Sequence, residues 1–414
     1  MSQVNQSVKE SLKMNIPELL APAGNLEKLK IAVHYGADAV YLGGKAFGLR
    51  NLADNFTVEE MATGIEYAHA RNVKVYLTVN SYPANADLEN LESYIKEIAP
   101  LPFDALIAAD PGVIQLIREF APGKTIHLST QANSVNWRAV SFWEHQGIKR
   151  VNLAREMNLA AVIETAEKTS VELELFAHGA MCISYSGRCL LSSVMSGRNA
   201  NKGECSHPCR WNYSLVEETR PGEYFPVMED ESGTFIFNSK DLCLIEHLPE
   251  ILCSGVASLK IEGRMKGIYY VASVVRAYRA ALDAIKNEGD DYVFGPEWLE
   301  ELCKISHRGY TTGFLLGQPE DVGQEYHCSY LRTYLFVGVV EEKNPDGTFT
   351  VAVRNKISSG DTVELMGPGM RNDSFTASLT DGKGTPLEAA NPNQRVKMPL
   401  PAGAAANDLL RISR

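Results

Sequence analysis

Short apolar segments alternate with helix-like segments along most of the chain, beginning at Pro17. Between most of the apolar segments, hydrophobic residues recur at helical spacing, as in 25–37 and in 57–72, where Thr57 is a candidate N-cap. Eight such units predict a parallel sheet, and eight strands are the number that closes a barrel. A doubly wound open sheet is the alternative, but no G-x-G-x-x-G motif follows the first strand. The predicted strands are residues 17–24, 38–44, 73–80, 104–110, 125–133, 150–156, 171–179 and 257–263.

Polar and apolar residues alternate within four of these strands. In the fifth, Ile126 and Leu128 oppose His127 and Ser129, and the third, seventh and eighth strands repeat the pattern. A barrel strand buries its outer face under helices, so the apolar set points outward and the polar set faces the barrel axis. An edge strand with a solvated face would explain any one of them, but not all four. We therefore predict an α/β protein with a TIM-like (β/α)8 barrel.

The pattern changes near Tyr334, where alternation with period two begins and a Pro345-Asp346-Gly347 turn follows. This alternating pattern predicts a small antiparallel β-barrel domain at the C-terminus. The predicted organisation is a flexible N-terminus over 1–15, a barrel over 16–330 with an insertion at about 180–235, and a C-terminal domain over 331–414.

Composition and charge narrow the function classes. The net charge of −11 argues against a general nucleic-acid coat, although it leaves room for a local basic patch. No segment approaches the ~18 apolar residues of a membrane span, and the polar start of the chain resembles neither a signal peptide nor an anchor. We expect a cytoplasmic protein without membrane contact, in which thiols stay reduced.

Four of the eight cysteines lie close together, as Cys182, Cys189, Cys205 and Cys209, with the spacing C-x6-C-x15-C-x3-C. Structural zinc sites usually have tight C-x2-4-C pairs, and only the second pair fits that pattern. Glycines and basic residues surround the cluster, and both suit a loop that folds around a negatively charged iron–sulfur core. The spacing therefore favours iron–sulfur over zinc, with buried structural thiols as the third interpretation.

The stretch "ELFAHGAMCISYSGRCLLS" (174–192) resembles the signature of the U32 family, historically called collagenase-like peptidases. Further resemblance extends from about residue 16 to the end, including "HLSTQANSVNWRAVSFW", "SLKIEGRMKGIYYVASVVRAYRAAL" and "NKISSGDTVELM". Within that family the likeness is greatest to bacterial proteins that form 5-hydroxyuridine at the tRNA wobble position. The resemblance implies a barrel enzyme with an oxygen-sensitive [4Fe–4S] cluster and prephenate as the hydroxyl source. Its ligands would be Cys182, Cys189, Cys205 and Cys209, with Cys243 as the alternative fourth ligand.

Candidate substrate-binding and catalytic residues follow from this chemistry. Prephenate is a dicarboxylate, and arginine and lysine bind carboxylates. Three carboxylate or imidazole side chains could move protons or orient those cations. The alternative for the strand-eight charges is an ion-pair ladder inside the barrel. The cations are Arg188, Arg210, Lys260 and Arg264, and the proton-transfer candidates are Glu174, His178 and Glu262.

Two other functions stay open at this point. A peptidase could use Cys182 as nucleophile and His178 as base, but the H-E-x-x-H and G-x-S-x-G motifs are missing and three further cysteines would have no role. Relatives with similar motifs hydroxylate ribosomal RNA cytidine or a ubiquinone precursor. For the RNA substrate, a flipped base would stack on Tyr185, Trp211 or Tyr213. The sequence does not distinguish a protein acting alone from a homodimer or a paired paralogue.

Overall fold

The computed structural model describes most of the chain, and the account below is limited to these residues. They are 16–45, 47, 55–181, 186–187, 189, 191–198, 200–202, 205–206, 208, 215–216, 224–225, 229–230, 233–234, 240–317 and 333–414. The predicted N-terminal segment 1–15 and the predicted boundary near 330 lie outside the described residues, so these domain limits stay predictions.

Eight parallel strands close into a barrel, as the sequence pattern predicted. Each strand pairs with the next along the chain, and the last strand closes the ring by pairing with both the first and the seventh. Strand numbers follow chain order. The barrel strands are β1 Glu18–Pro22, β2 Ala39–Gly43, β3 Lys74–Val79, β4 Ala105–Ala108, β5 Ile126–Leu128, β6 Arg150–Asn152, β7 Glu172–Ala180 and β13 Ser258–Ile261.

Helices cover the outside of the barrel. Several begin at a side chain that accepts a hydrogen bond from the first helical turn, such as Asn25 and Asp110. Thr57 forms a complete capping box with Glu60, which confirms the predicted N-cap. The helices are α1 Leu26–His34, α2 Val58–His69, α3 Leu88–Ile98, α4 Pro111–Phe120, α5 Trp137–His145, α6 Leu159–Lys168, α7 Leu191–Ser196, α8 Leu248–Leu252, α9 Ile268–Glu288 and α10 Pro296–Cys303.

The predicted inward and outward faces of the strands are confirmed. Leu77, Leu128 and Leu259 belong to the large buried cluster between the sheet and the helices. Their polar neighbours His127 and Lys260 are buried inside the barrel instead. The helices thus take up the apolar surface, which leaves the axis available for polar side chains.

An ion ladder fills the lower half of the barrel, near the amino ends of its strands. It consists of Glu18, Arg150, Glu174 and Lys260: Arg150 lies 2.6 Å from Glu18 and 3.6 Å from Glu174, which lies 2.8 Å from Lys260. The hydroxyl of Tyr76 also donates to Glu18 (2.7 Å). Because Arg150, Glu174 and Lys260 are each at most 5% exposed, this layer closes the barrel from below.

Short strands extend the sheet beyond β7. Two small antiparallel hairpins precede β12 Asp241–Cys243, which pairs antiparallel to β7 and parallel to β14 Tyr310–Thr311. The hairpin strands are β8 Leu215–Val216, β9 Tyr224–Phe225, β10 Glu229–Asp230 and β11 Gly233–Thr234.

The C-terminal region is an eight-stranded antiparallel half-barrel with a separate two-stranded sheet, which confirms the predicted small antiparallel domain. The predicted turn at Asp346 connects β15 to β16, which are hydrogen-bonded neighbours. The strands are β15 Tyr334–Lys343, β16 Phe349–Val353, β17 Ile357–Ser358, β18 Thr362–Met366, β19 Asn372–Thr376, β20 Leu379–Thr380, β21 Pro386–Leu387, β22 Ala389–Ala390, β23 Arg395–Met398 and β24 Leu409–Ser413.

The half-barrel packs directly on the barrel helices. Met366 and Leu409 belong to the same buried cluster as the barrel core, and the hydroxyl of Tyr35 donates to the Met366 carbonyl oxygen (2.7 Å). Arg276 and Arg411 share the carboxylate of Glu301, and all three side chains are fully buried. Within the described parts of the chain, no helix has the length and apolar character needed to cross a lipid bilayer.

Candidate active site

A cavity opens at the carboxyl end of the barrel strands, where barrel enzymes place their active sites. We call it the barrel cavity. Three predicted residues from the end of β13 line it, together with polar side chains from β3, β5 and β6 that the sequence analysis did not single out. The lining residues are Tyr41, Thr78, Asn80, Ile107, Ser129, Thr130, Gln131, Asn152, Phe176, Lys260, Glu262 and Arg264.

Arg264 is a buried cation of the barrel cavity and packs against Gly43. Its side chain is 3% exposed, and Nη1 donates to the Thr78 hydroxyl (2.8 Å). The guanidinium lies against Gly43 of β2, where an added Cβ would be only 2.6 Å from Nη1. A glycine at position 43 therefore leaves the room that a buried arginine needs beside the barrel cavity.

Lys260 and Glu174 lie deeper and bind each other. The 2.8 Å pair between them continues into Arg150, so neither charge lies unpaired in the barrel. Of the strand-eight charges for which an ion-pair ladder was the alternative interpretation, Lys260 joins this ladder, whereas Glu262 pairs with Arg155. Lys260 still lines the floor of the barrel cavity.

Glu262 has a partner that sequence reasoning missed. Nη2 of Arg155 lies 3.3 Å from Glu262 Oε2, and the guanidinium carbon stands 3.6 Å from the centre of the Phe176 ring. A cation over an aromatic face is attracted to it. Arg155 follows β6 at the same carboxyl end as Glu262, and this position along the strand was the available signal.

His178 lies outside the lining of the barrel cavity. It is 1% exposed and is surrounded by the rings of Tyr270, Tyr278 and Tyr310, whose centres are 5.4–5.9 Å away. Burial is the main cause that lowers the pKa of His178 to about 3, although Asp241 opposes it. The imidazole is therefore neutral at physiological pH.

Uncharged polar side chains also line the barrel cavity. The carboxamide of Asn80 donates to the Ser129 hydroxyl (3.2 Å) and to Gln131 (3.3 Å). Asn152 is 2% exposed, and neither its amide nitrogen nor its oxygen hydrogen-bonds to the described residues. The sequence analysis noted the polar face of β5 but assigned no function to these carboxamides.

The insertion at about 180–235 contains the four clustered cysteines, and we call it the cysteine segment. Its described parts pack over the carboxyl end of the barrel. The Ser186 backbone N–H donates to Glu156 (2.8 Å), and Gly187 lies so close to Gln131 that an added Cβ would be 2.3 Å from its carbonyl oxygen. The Tyr82 backbone N–H donates to the Asn201 carbonyl (3.0 Å). These contacts fix the segment beside the lining of the barrel cavity.

Two of the four predicted cluster ligands are described, Cys189 and Cys205, and both are reduced and half-buried. Their chain segments meet where the Ser206 backbone N–H donates to the Ser192 hydroxyl (3.1 Å). Cys182, Cys209, Arg188 and Arg210 lie outside the described residues, as do Tyr185, Trp211 and Tyr213. Within the described residues, no group of three metal-ligating side chains occurs. The meeting of the two described cysteine segments fits a shared cluster.

Cys243, the alternative fourth ligand, lies in a different environment. It is 8% exposed, and the Tyr278 hydroxyl lies 3.9 Å from its sulfur. Burial raises the pKa of the Cys243 thiol to about 12. Its place in the hydrophobic core of the barrel favours a structural thiol.

Family models match both regions of the chain. The family model "Peptidase family U32" matches residues 24–325, and the model of its C-terminal domain matches residues 332–411. The "tRNA hydroxylation protein P1" of Bacillus subtilis is 44% identical over 399 residues, which cover 95% of this chain and 94% of that protein.

Two further relatives carry related names. The "tRNA hydroxylation protein P" of Escherichia coli is 39% identical over 94% of this chain and 95% of its own length. The "23S rRNA 5-hydroxycytidine C2501 synthase" of the same organism is 31% identical over 84% of this chain, but only 52% of its own length. The barrel, the C-terminal half-barrel and both family-model matches lead to one conclusion: the chain belongs to peptidase family U32.

Proposed function

We propose that this protein is a tRNA-modifying enzyme that hydroxylates C5 of the wobble uridine to 5-hydroxyuridine, with prephenate as the hydroxyl source. The observation that carries the proposal is the cysteine segment, which packs over a barrel cavity containing a buried arginine. Relatives named as tRNA hydroxylation proteins, which match nearly the whole chain, support hydroxylation of tRNA.

The proposed cofactor is a [4Fe–4S] cluster held by Cys182, Cys189, Cys205 and Cys209. When bound, such a cluster supplies one-electron transfer at a potential set by its surroundings. The contacts of Ser186 and Gly187 with the loops after β5 and β6 hold the segment at the edge of the barrel cavity. In this proposal the cluster would lie beside the bound substrate.

Charged residues of β13 have separate roles in this proposal. Arg264, next to the Thr78 hydroxyl, binds a carboxylate of the dicarboxylic acid, and Lys260 contributes positive potential from the floor. Glu262 is the carboxylate that we assign to proton transfer, because Glu174 is held by Lys260 and Arg150. Arg155 orients Glu262 from the other side.

The observed geometry gives little support to a peptidase. Among the described residues that line the barrel cavity there is no cysteine and no histidine to activate a hydroxyl nucleophile. His178, the base in that interpretation, is enclosed by tyrosine rings. A hydrolytic mechanism would therefore need residues beyond the described cavity lining.

The test is genetic complementation combined with analysis of the purified protein. In a strain that lacks this gene and any redundant enzyme, we expect the wild-type protein to restore 5-hydroxyuridine derivatives in tRNA, measured by mass spectrometry. Cys182→Ala should fail to restore them and should lack the iron and sulfide that the wild type carries after anaerobic purification. Cys243→Ala is the matched control and should retain both.

Two results would contradict the proposal. Unchanged 5-hydroxyuridine in the deletion strain would remove the tRNA substrate, and a change in ribosomal 5-hydroxycytidine instead would identify the alternative substrate. A colourless, iron-free wild-type protein would remove the cluster and return Cys182 to the candidate nucleophiles.

A further inference from the structure

One carboxamide in the lining of the barrel cavity has no hydrogen-bond partner among the described residues. Asn152 ends β6 and lines the cavity, and its carboxamide nitrogen and oxygen are both buried without a hydrogen-bond partner among the described residues. Asn80, the other asparagine in the lining, donates to Ser129 and Gln131. The two asparagines thus differ in whether the protein itself satisfies them.

A buried amide without a partner destabilises a fold by roughly 1–3 kcal/mol, so such a group in a cavity is completed by water or by a bound ligand that replaces the water. The carboxamide of Asn152 offers one donor group and one acceptor side by side. A carboxylate can only accept, and it would place its oxygens against the Asn152 oxygen. The matching ligand edge therefore carries a donor next to an acceptor and is neutral.

We propose that Asn152 binds the imide edge of the target uracil ring, through N3–H and a neighbouring carbonyl oxygen. This inference rests on the proposed function. In this assignment Arg264 and Lys260 bind the organic acid, and Asn152, whose in-register neighbour on β7 is Glu174, binds the base.

This contact determines how the base lies in the cavity. In the pyrimidine ring C6 is opposite N3 and C5 is opposite C2, so binding through N3–H and the C2 carbonyl oxygen turns C5 away from Asn152. Phe176 and Tyr41 line the same cavity and supply apolar surface for a planar ring. A flipped base would thus present its reactive edge to the remainder of the cavity.

The experiment uses anticodon stem-loop RNA that carries either uridine or 3-methyluridine at the target position. The methyl group removes the N3–H donor and leaves the phosphates unchanged. Binding is measured by fluorescence anisotropy at raised salt, which reduces the sequence-independent phosphate contribution. We expect the wild type to bind the uridine RNA roughly tenfold more tightly, and Asn152→Leu to bind both RNAs equally.

Thermal stability separates recognition from a structural role. Because leucine replaces an unsatisfied carboxamide, Asn152→Leu should keep or raise the melting temperature. The matched control Asn80→Leu breaks hydrogen bonds to Ser129 and Gln131 and should lower the melting temperature. Both variants are measured as the complete chain.

The outcomes distinguish this inference from the proposed function. If the wild type restores tRNA hydroxylation but Asn152→Leu still prefers uridine over 3-methyluridine, the assignment of Asn152 is overturned and the function stands. A melting temperature that falls as far as in Asn80→Leu would likewise make Asn152 a structural residue. If the wild type restores no hydroxylation, the proposed function fails, and this inference fails with it.

Discussion

Depth along a strand determines what each charged residue of the barrel does. Lys260 and Arg264 are four residues apart, yet Lys260 binds Glu174 in the ion ladder whereas Arg264 lies beside Thr78 in the barrel cavity. Residues that look equivalent in a period-two pattern thus divide into one group in the ion ladder and one group that faces the barrel cavity. The partner of each charge comes from a distant strand, so the pattern alone could not divide them.

His178 gives a test at the scale of one residue. His178→Phe preserves the aromatic packing with Tyr270, Tyr278 and Tyr310, so we expect tRNA hydroxylation within a few-fold of wild type. A general base would instead lose about 10²–10⁴-fold. A loss of that size at an unchanged melting temperature would show that His178 takes part in catalysis.

The same variant predicts a change in pH dependence. Since the pKa of His178 is lowered to about 3, the unfolded chain binds a proton that the folded protein does not, between roughly pH 6.5 and pH 3. Wild-type stability therefore falls as the pH drops through that range, and His178→Phe lacks this contribution. Melting temperatures at pH 7 and pH 5 should differ less in the variant than in the wild type.

At the scale of elements, the cysteine segment depends on one tight approach. Gly187 has a φ of +74° and lies against the backbone of Gln131, whereas Gly197 has a φ of +68° and no atom near its potential Cβ. Because both residues have a positive φ, an alanine at either position would introduce a similar backbone strain of about 1 kcal/mol. Only at position 187 must the backbone also move.

We therefore expect Gly187→Ala to displace the segment from the barrel cavity. It should lower the iron content and the hydroxylation activity several-fold, while the circular dichroism of the barrel stays unchanged. Gly197→Ala, the matched control, should retain both properties. Equal losses in the two variants would mean that backbone strain, and not the contact with Gln131, explains the effect.

The sequence predicted the barrel elements well because strand alternation and helix caps are local properties. All eight strands were predicted, as was the capping residue Thr57. Arg155 and Asn152 were missed because each is an isolated polar residue at the end of a strand. Their significance comes from Glu262 and from the cavity, and both depend on the closed barrel.

The two domains predicted as separate units behave as one at the scale of the whole molecule. Met366 and Leu409 of the half-barrel belong to the core cluster of the barrel. Burial alone would raise the pKa of the Glu301 carboxyl, but Arg276 and Arg411 lower this pKa to about 2. The sequence pattern located both domains but could not show this shared carboxylate, because its partners come from both.

Glu301→Ala should therefore destabilise the entire chain. Removing the carboxylate leaves Arg276 buried without a counter-charge among the described residues, whereas Arg411 keeps Glu364 (2.7 Å), and breaking such a buried pair costs about 3–5 kcal/mol. We expect a single unfolding transition at a much lower denaturant concentration. The exposed neighbour Glu300→Ala is the control and should change stability little. A stability loss as small as that of the control would contradict the shared-carboxylate interpretation.

The ion ladder has a kinetic consequence. Because Arg150, Glu174 and Lys260 are buried beneath it, the described residues leave the barrel cavity an opening at its carboxyl end. Under the proposed function, a small organic acid and an RNA base pass through this same opening, and a bound RNA covers it. The acid then has to enter before the RNA, and its by-product has to leave after the RNA. We therefore expect a compulsory order of binding and release. Excess RNA should hold the acid or its by-product in the cavity.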